Sequence, residues 1–181
     1  MWAASPSEDV VGYRVYRDGV DLFPGPPQSG LSALDPGLPE GTYEYHVTAV
    51  DHAGLESSPT APRRVEVDVT PPTLVLTSPT EGARLRGVVE LMGSVLAEDL
   101  AEYRIVVQEP GGATTLVLTS PIPVQSDVLG SWDASALLGE QTVQLELAAE
   151  DTSGNGSQIQ RSVVIDHVAP PTPTGLVAVV D

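Results

Sequence analysis

The side chains best suited to acid–base chemistry are three histidines, His46, His52 and His167. His46 falls on the outward parity of a strand-like run, His52 lies in a turn, and His167 lies at a domain boundary. None of them shares the His-x-x-x-His spacing of a zinc site, and none has an evident acid–base partner. The pattern therefore predicts three exposed surface histidines.

The other chemistry-bearing residues are not spaced for catalysis either. Glu98-Asp99 and Glu150-Asp151 are adjacent pairs, and adjacent residues of a strand point to opposite faces. The chain contains no cysteine and no Gly-x-Ser-x-Gly sequence, and EPGGATT is typical of a hairpin turn, not of a phosphate loop. We therefore expect a protein that is not an enzyme and has no cofactor.

Calcium is the one ligand for which the sequence offers donors. DTSGNGS places Asp151 and Asn155 in one tight turn, and Asp68 and Asp166 lie beside pairs of prolines. Calcium binds about six to eight oxygens, often in acidic loops between extracellular modules. However, Asp-x-x-Gly is also a common turn in which the aspartate caps backbone N–H groups, and this is the favoured interpretation.

The sequence that leads into the Asp151 turn has a similar copy earlier in the chain. GTYEYHVTAVDHAG and EQTVQLELAAEDTSG share alternating apolar residues followed by Asp-x-x-Gly, so that Asp51 and Gly54 are matched one hundred positions later by Asp151 and Gly154. About 100 residues is the size of one β-sandwich domain. The repeat therefore predicts two domains, with proline pairs at their boundaries, Pro71-Pro72 and Pro170-Pro171, that stiffen the connections.

Strand-like runs with period-two alternation recur along the whole chain. They cover 12–19, 42–50, 63–69, 70–79, 87–95, 101–108, 114–124, 142–151 and 158–166. No window shows a sustained helical period with caps. These runs predict an all-β fold of sandwiches or small barrels.

The alternation also predicts which residues share a face in the first domain. Tyr13 and Val15 form one set, and a second set consists of Tyr43, Tyr45, Val47 and Ala49. In RRVEVDV the core candidates are Val65, Val67 and Val69.

Residues 1–69 resemble a fibronectin type III module. WAASPSEDVVGYRVYRDG is similar to the end of strand B, with core residue Trp2, followed by strand C, and LPEGTYEYHVTAVDHAGLES is similar to the E–F corner and strand F. The resemblance implies that Tyr43 is the corner tyrosine, whose hydroxyl bonds a nearby backbone group. It also implies that strand A and the start of strand B are lacking from 1–69.

Residues 70–168 resemble the Ig-like repeats of bacterial surface and secreted proteins. The similar stretches are TPPTLVLTSPTEGARLRG, SWDASALLGEQTVQLELAAEDTSGNGS and VVIDHVAPPT. Val143 stands where Tyr43 stands in the first domain, so the corner tyrosine is missing. Trp132 is expected to fill the core, because burial of a tryptophan removes a large area from water.

Residues 169–181, APPTPTGLVAVVD, resemble strand A of a further type III module. One interpretation is that the chain is a fragment of a longer multidomain protein, with Met1 an internal methionine. The alternative is that the tail of one copy completes the incomplete sandwich of the next, since adding a strand satisfies main-chain groups and head-to-tail contacts generate filaments.

The formal charge of −17 makes nucleic-acid binding improbable, because acidic surfaces repel phosphates. No apolar stretch approaches the length of a membrane span. Met1-Trp2 is not followed by a basic region and an apolar stretch, so we expect any export signal to lie outside this segment. The resemblances imply tandem Ig-like and fibronectin type III β-sandwiches with a structural or spacer role in a bacterial extracellular or cell-surface protein. Expected partners are neighbouring domains or copies of itself; the alternative is an adhesion module for a glycan, host or matrix protein.

Overall fold

In the computed structural model, which describes residues 1–172, 174 and 175, the chain is built from β-strands. The described residues form twelve strands and one 3₁₀ turn: β1 Val10–Arg17, β2 Val20–Asp21, β3 Gly41–Asp51, β4 Arg63–Val67, β5 Thr73–Ser78, β6 Arg84–Leu85, β7 Val88–Leu96, β8 Leu100–Gln108, β9 Thr114–Ser120, β10 Val124–Asp133, the 3₁₀ turn Ala134–Ala136, β11 Glu140–Asp151 and β12 Gly156–Asp166. The prediction of an all-β fold is confirmed. No helix in this part of the chain is long and apolar enough to cross a membrane.

The chain divides into two compact units, Met1–Thr70 and a second that begins at Pro71. We call them unit 1 and unit 2. The division falls beside the proline pair Pro71-Pro72. The second proline pair, Pro170-Pro171, follows the end of β12 and belongs to no strand.

Unit 1 is a four-stranded sheet in the order β2-β1-β3-β4. Asp18 and Gly19 join β1 to β2 with positive φ values of 51° and 80°, as a two-residue hairpin turn requires. Tyr13 pairs with Ala49 across β1 and β3, so the two apolar sets expected from the alternation lie on one face. We call this the inner face of unit 1.

The inner face is covered only in part, and two of the expected core residues are not buried. Val65 is 38% exposed, and Val69 is exposed beyond the end of β4, while Val67 is half-buried. The expectation that these valines form a core was therefore wrong for Val65 and Val69. The physical reason is that the described residues of unit 1 form one sheet, with no second sheet over β4.

Unit 2 is a closed β-sandwich. A three-stranded sheet, β10-β7-β5, faces a five-stranded sheet, β6-β12-β11-β8-β9, in which β6 and β12 are parallel and the other neighbours antiparallel. The most deeply buried apolar side chains between the sheets are Leu91, Val95, Ile105, Val107, Val143, Leu145, Leu147, Val163 and Ile165. Trp132 is also buried in this core. Unit 2 thus encloses an apolar interior of its own.

The expected strand at 169–181 lies largely outside the described residues, which omit 173 and 176–181.

Candidate functional site

The two Asp-x-x-Gly turns have the same hydrogen bonds. Asp51 Oδ1 accepts from the backbone N–H groups of Ala53 at 2.8 Å and Leu55 at 2.9 Å. Asp151 Oδ1 accepts from those of Ser153 at 2.9 Å and Asn155 at 2.8 Å. In both turns, the carboxylate caps N–H groups of its own loop.

Asp151 is more deeply buried than Asp51. Asp151 is 2% exposed, and its other carboxylate oxygen accepts from Asn155 Nδ2 at 2.9 Å. Burial alone would raise the pKa of Asp151, but the hydrogen bonds from Asn155, Ser153 and Gly154 outweigh it and hold that pKa below its ordinary value. Asp151 is therefore a buried, ionised cap.

The calcium candidates within unit 2 do not all converge. Asp151 and Asn155 lie at one end of the β11–β12 hairpin, where Glu150 pairs with Gly156, whereas Asp166 pairs with Glu140 at the opposite end. Asp166 accepts from Val168 N–H, and its pKa is lowered by this bond and by Arg84 at 2.8 Å. In unit 1, Asp68 accepts from Thr70 N–H at 2.9 Å. Calcium binding at any of them stays the alternative to turn capping.

The two members of each adjacent carboxylate pair have different surroundings. Glu150 is exposed, whereas Asp151 is buried, as expected for neighbours in a strand. Glu98 and Asp99 lie in the turn before β8, so the expectation that they are neighbours in a strand was wrong for this pair. Asp99 accepts from the Thr152 hydroxyl at 2.9 Å. Within the described residues, these carboxylates therefore either accept hydrogen bonds in turns or face solvent.

The histidines differ in their surroundings. His52 and His167 are exposed, as expected, and His167 Nε2 lies 3.2 Å from the carbonyl oxygen of Ala134. His46 is half-buried because its ring stacks on Tyr16 with ring centres 4.9 Å apart, so the expectation of an exposed His46 was wrong. Their cross-strand pairing brings the two rings together.

Glu56 organises the outer face of unit 1, a cluster that the sequence patterns did not reveal. Its carboxylate accepts from the Tyr16 hydroxyl at 2.9 Å and the Thr48 hydroxyl at 2.8 Å, and it pairs with Arg14 at 3.1 Å. Burial, followed by the bond to Glu56, raises the pKa of Tyr16. The donors lie on neighbouring strands, but Glu56 comes from the loop after β3, which no strand pattern places.

The inner face of unit 1 holds the residues implied by the type III resemblance. The Tyr43 hydroxyl donates to the carbonyl of Pro39 at 3.0 Å, and Arg17 lies 5.5 Å from the Tyr43 ring centre. Trp2 packs edge-on against Tyr13 with ring centres 5.8 Å apart. The Trp2 indole Nε1 is buried and has no hydrogen-bond partner among the described residues.

The outer face of unit 2 carries a shallow groove of about 230 Å³. Ala148 lies between Arg104 and Gln158 in the sheet, and the longer side chains on either side leave a depression above it. Glu102 and Glu150 also line the groove. Polar side chains around a small residue could hydrogen-bond a polar ligand.

No family model and no curated protein matches the chain. Among solved structures, the chain is similar to the fibronectin(III)-like modules of CbhA from Clostridium thermocellum, with 17% identity and a TM-score of 0.50 over 90% of this chain and 81% of that one. Similarity at this level shows the fold. The chain therefore has a fibronectin(III)-like β fold, while the assignment of 70–168 to bacterial Ig-like repeats stays a prediction.

Proposed function

We propose that this chain is a non-catalytic structural segment, a spacer built of β modules, in a bacterial extracellular or cell-surface protein. Two compact units and a fold shared with fibronectin(III)-like modules support this role. The carboxylates of Glu56 and Asp151 are engaged inside their own units by hydroxyl, guanidinium and amide groups. Such closed networks stabilise loops.

We further propose that a strand from a neighbouring module or another copy completes unit 1. The observation that carries this proposal is the partly bare inner face, where Val65, opposite Tyr43, is 38% exposed. Exposed apolar residues beside a sheet are typical of an interaction surface. The unpartnered indole N–H of Trp2 adds a cost that a suitably placed acceptor would remove.

The inner face already holds the start of a second layer. The backbone N–H of Trp2 donates to the carbonyl of Leu31 at 3.0 Å. A strand laid beside the Trp2 segment would extend that layer over β4 by main-chain hydrogen bonds. The sequence LVAVVD at 176–181 has the apolar, β-branched composition that such a strand needs.

The test is a titration of the full chain with a peptide of residues 169–181, followed by two-dimensional NMR. We expect saturable shifts of the Trp2 indole N–H and the Val65 amide, and none with a scrambled peptide. Unchanged signals at millimolar peptide would overturn strand completion. The spacer role would fall instead if the chain showed hydrolytic or transfer activity.

An adhesion role is the second candidate, and the groove over Ala148 is the observation that favours it. Arg104, Gln158 and the glutamates offer both donors and acceptors for hydroxyl groups. A glycan array would test it, with Arg104→Ala as the matched variant. Binding that is lost in the variant would support adhesion, and an empty array would remove glycans as ligands.

A further inference from the structure

Most edge strands of the described fold carry a feature that discourages pairing with another chain. β2 and β6 are each two residues long. β4 carries Arg63, Arg64 and Glu66, and β10 carries Asp127 and Asp133 and has two register shifts. Short length, charge and irregularity all lower the affinity of an edge for a second strand.

β5 is uncharged, but its main chain already accepts a hydrogen bond from a side chain of unit 2. Arg161 Nη2 donates to the carbonyl oxygen of Leu76 at 3.0 Å. An acceptor that an incoming strand would use is therefore already bonded within unit 2.

β9 shares only the irregularity, one register shift with β8, and it is neither short nor charged. Its seven residues contain no charge and no proline, and positions 110–126 contain no Asp, Glu, Lys or Arg. Within the described residues it pairs with β8 alone. β9 is thus the long, uncharged and unoccupied edge of the five-stranded sheet.

β9 also repeats the sequence of β5. TLVLTSP occurs at 73–79 and again at 115–121. In β5, Leu74 and Leu76 both pack against the core of unit 2. In β9, the register with β8 shifts between Leu118 and Leu116, so that Val117 and Leu118 pack against the core and Leu116 does not.

This shift has a consequence at the surface. Leu116 is 60% exposed, whereas Leu118 lies against Gly130, where even a Cβ atom would meet the leucine at 1.8 Å. Bulges re-aim side chains at sheet edges. The leucine that packs against the core in β5, Leu74, therefore has an exposed counterpart, Leu116, on the uncharged edge strand β9.

We infer that β9 is an interface for a second copy of this chain, with the two β9 strands antiparallel about a two-fold axis. Each copy then adds its five-stranded sheet to the other, and the two Leu116 side chains are covered near the contact. A second copy fits because a two-fold contact at β9 brings together only uncharged residues. Elsewhere the acidic surfaces of two chains of net charge −17 repel each other. Such a contact is isologous and closes as a dimer. It uses unit 2 and is independent of strand completion in unit 1.

Cysteine cross-linking tests the geometry directly, since the chain has no cysteine of its own. Leu116→Cys should give a disulfide-linked dimer on mild oxidation. Val75→Cys is the matched control, because Val75 belongs to the same heptapeptide and is 44% exposed on β5. Equal cross-linking of both variants, or none with Leu116→Cys, would overturn the interface.

Sedimentation equilibrium of the full chain at two salt concentrations supplies the second readout. We expect a reversible dimer that salt strengthens, because salt screens the repulsion between acidic copies. Leu116→Glu should weaken the dimer at least tenfold and Val75→Glu should not, with circular dichroism showing that both fold. A chain that stays monomeric at every concentration would refute the inference, as would a Leu116→Glu variant that dimerises like the unmodified chain.

Discussion

Asp51 and Asp151 cap equivalent turns one hundred residues apart, each accepting two backbone N–H groups on Oδ1. The match extends to the main chain, because Asp51 N–H bonds Leu55 O and Asp151 N–H bonds Asn155 O, both at 3.1 Å. Only Asp151 is fully buried and has the added bond from Asn155 Nδ2. The repeated sequence thus forms the same turn twice, with a half-buried aspartate in the first turn and a fully buried one in the second.

Asp151→Ala should destabilise the protein more than Asp51→Ala. Asp151→Ala removes a buried carboxylate that accepts three hydrogen bonds, from the Asn155 side-chain amide and from two backbone N–H groups. The half-buried turn at Asp51 can recruit solvent instead. Thermal unfolding of both variants checks the order, and equal losses would contradict it.

Unit 2 should lose stability in acid. The folded pKa of Asp151 lies below the ordinary value of 3.8, so its ionised form is favoured by folding. This contribution is complete well above pH 4 and is lost as the pH falls below 3.8 through the lowered pKa. Asp133 and Asp166 are shifted in the same direction. Amide exchange in β11 and β12 between pH 5 and pH 2.5 measures the effect, and Asp151→Asn should flatten it.

Leu147→Ala should cost about 2–5 kcal/mol, because Leu147 is fully buried in the sandwich of unit 2. Val65→Ala should cost about 1 kcal/mol or less, because the inner face leaves Val65 partly in water. Site-resolved amide exchange assigns each loss to its own unit. A large loss at Val65 would mean that unit 1 is closed over it.

Tyr43→Phe should destabilise unit 1 by about 0.5–1.5 kcal/mol, the usual value of one hydrogen bond. The lost bond is that from the hydroxyl to Pro39. Tyr103→Phe is the comparison in unit 2, where the hydroxyl bonds the carbonyl of Leu129 in a buried setting and removal should cost more. Urea unfolding of the two variants gives the difference, and a neutral Tyr43→Phe would show that this bond adds nothing.

The strands of unit 1 were predictable where alternation and cross-strand pairing agree, as for Tyr13 and Ala49. The exposure of Val65 was not, because burial depends on whether a second layer covers the strand. His46 is half-buried because Tyr16 lies opposite it, a pairing that depends on register.

Leu116 shows the limit of sequence patterns most clearly. The letters of TLVLTSP are the same in both copies, and only the register shift beside Val117 turns Leu116 to the surface. The repeated heptapeptide is visible in the sequence. Whether its first leucine packs against the core or faces solvent depends on the register with the neighbouring strand. The polar cluster around Glu56 was missed for a similar reason, since a loop residue supplies its centre.

Deuterium uptake of β4 in the full chain, with and without the peptide of residues 169–181, tests most directly whether a strand completes unit 1. We expect the amides of Val65 and Val67 to exchange at least tenfold more slowly with the peptide, while β11 is unchanged. Uptake in β4 that stays the same under saturating peptide would contradict strand completion and leave unit 1 as a sheet that needs no partner.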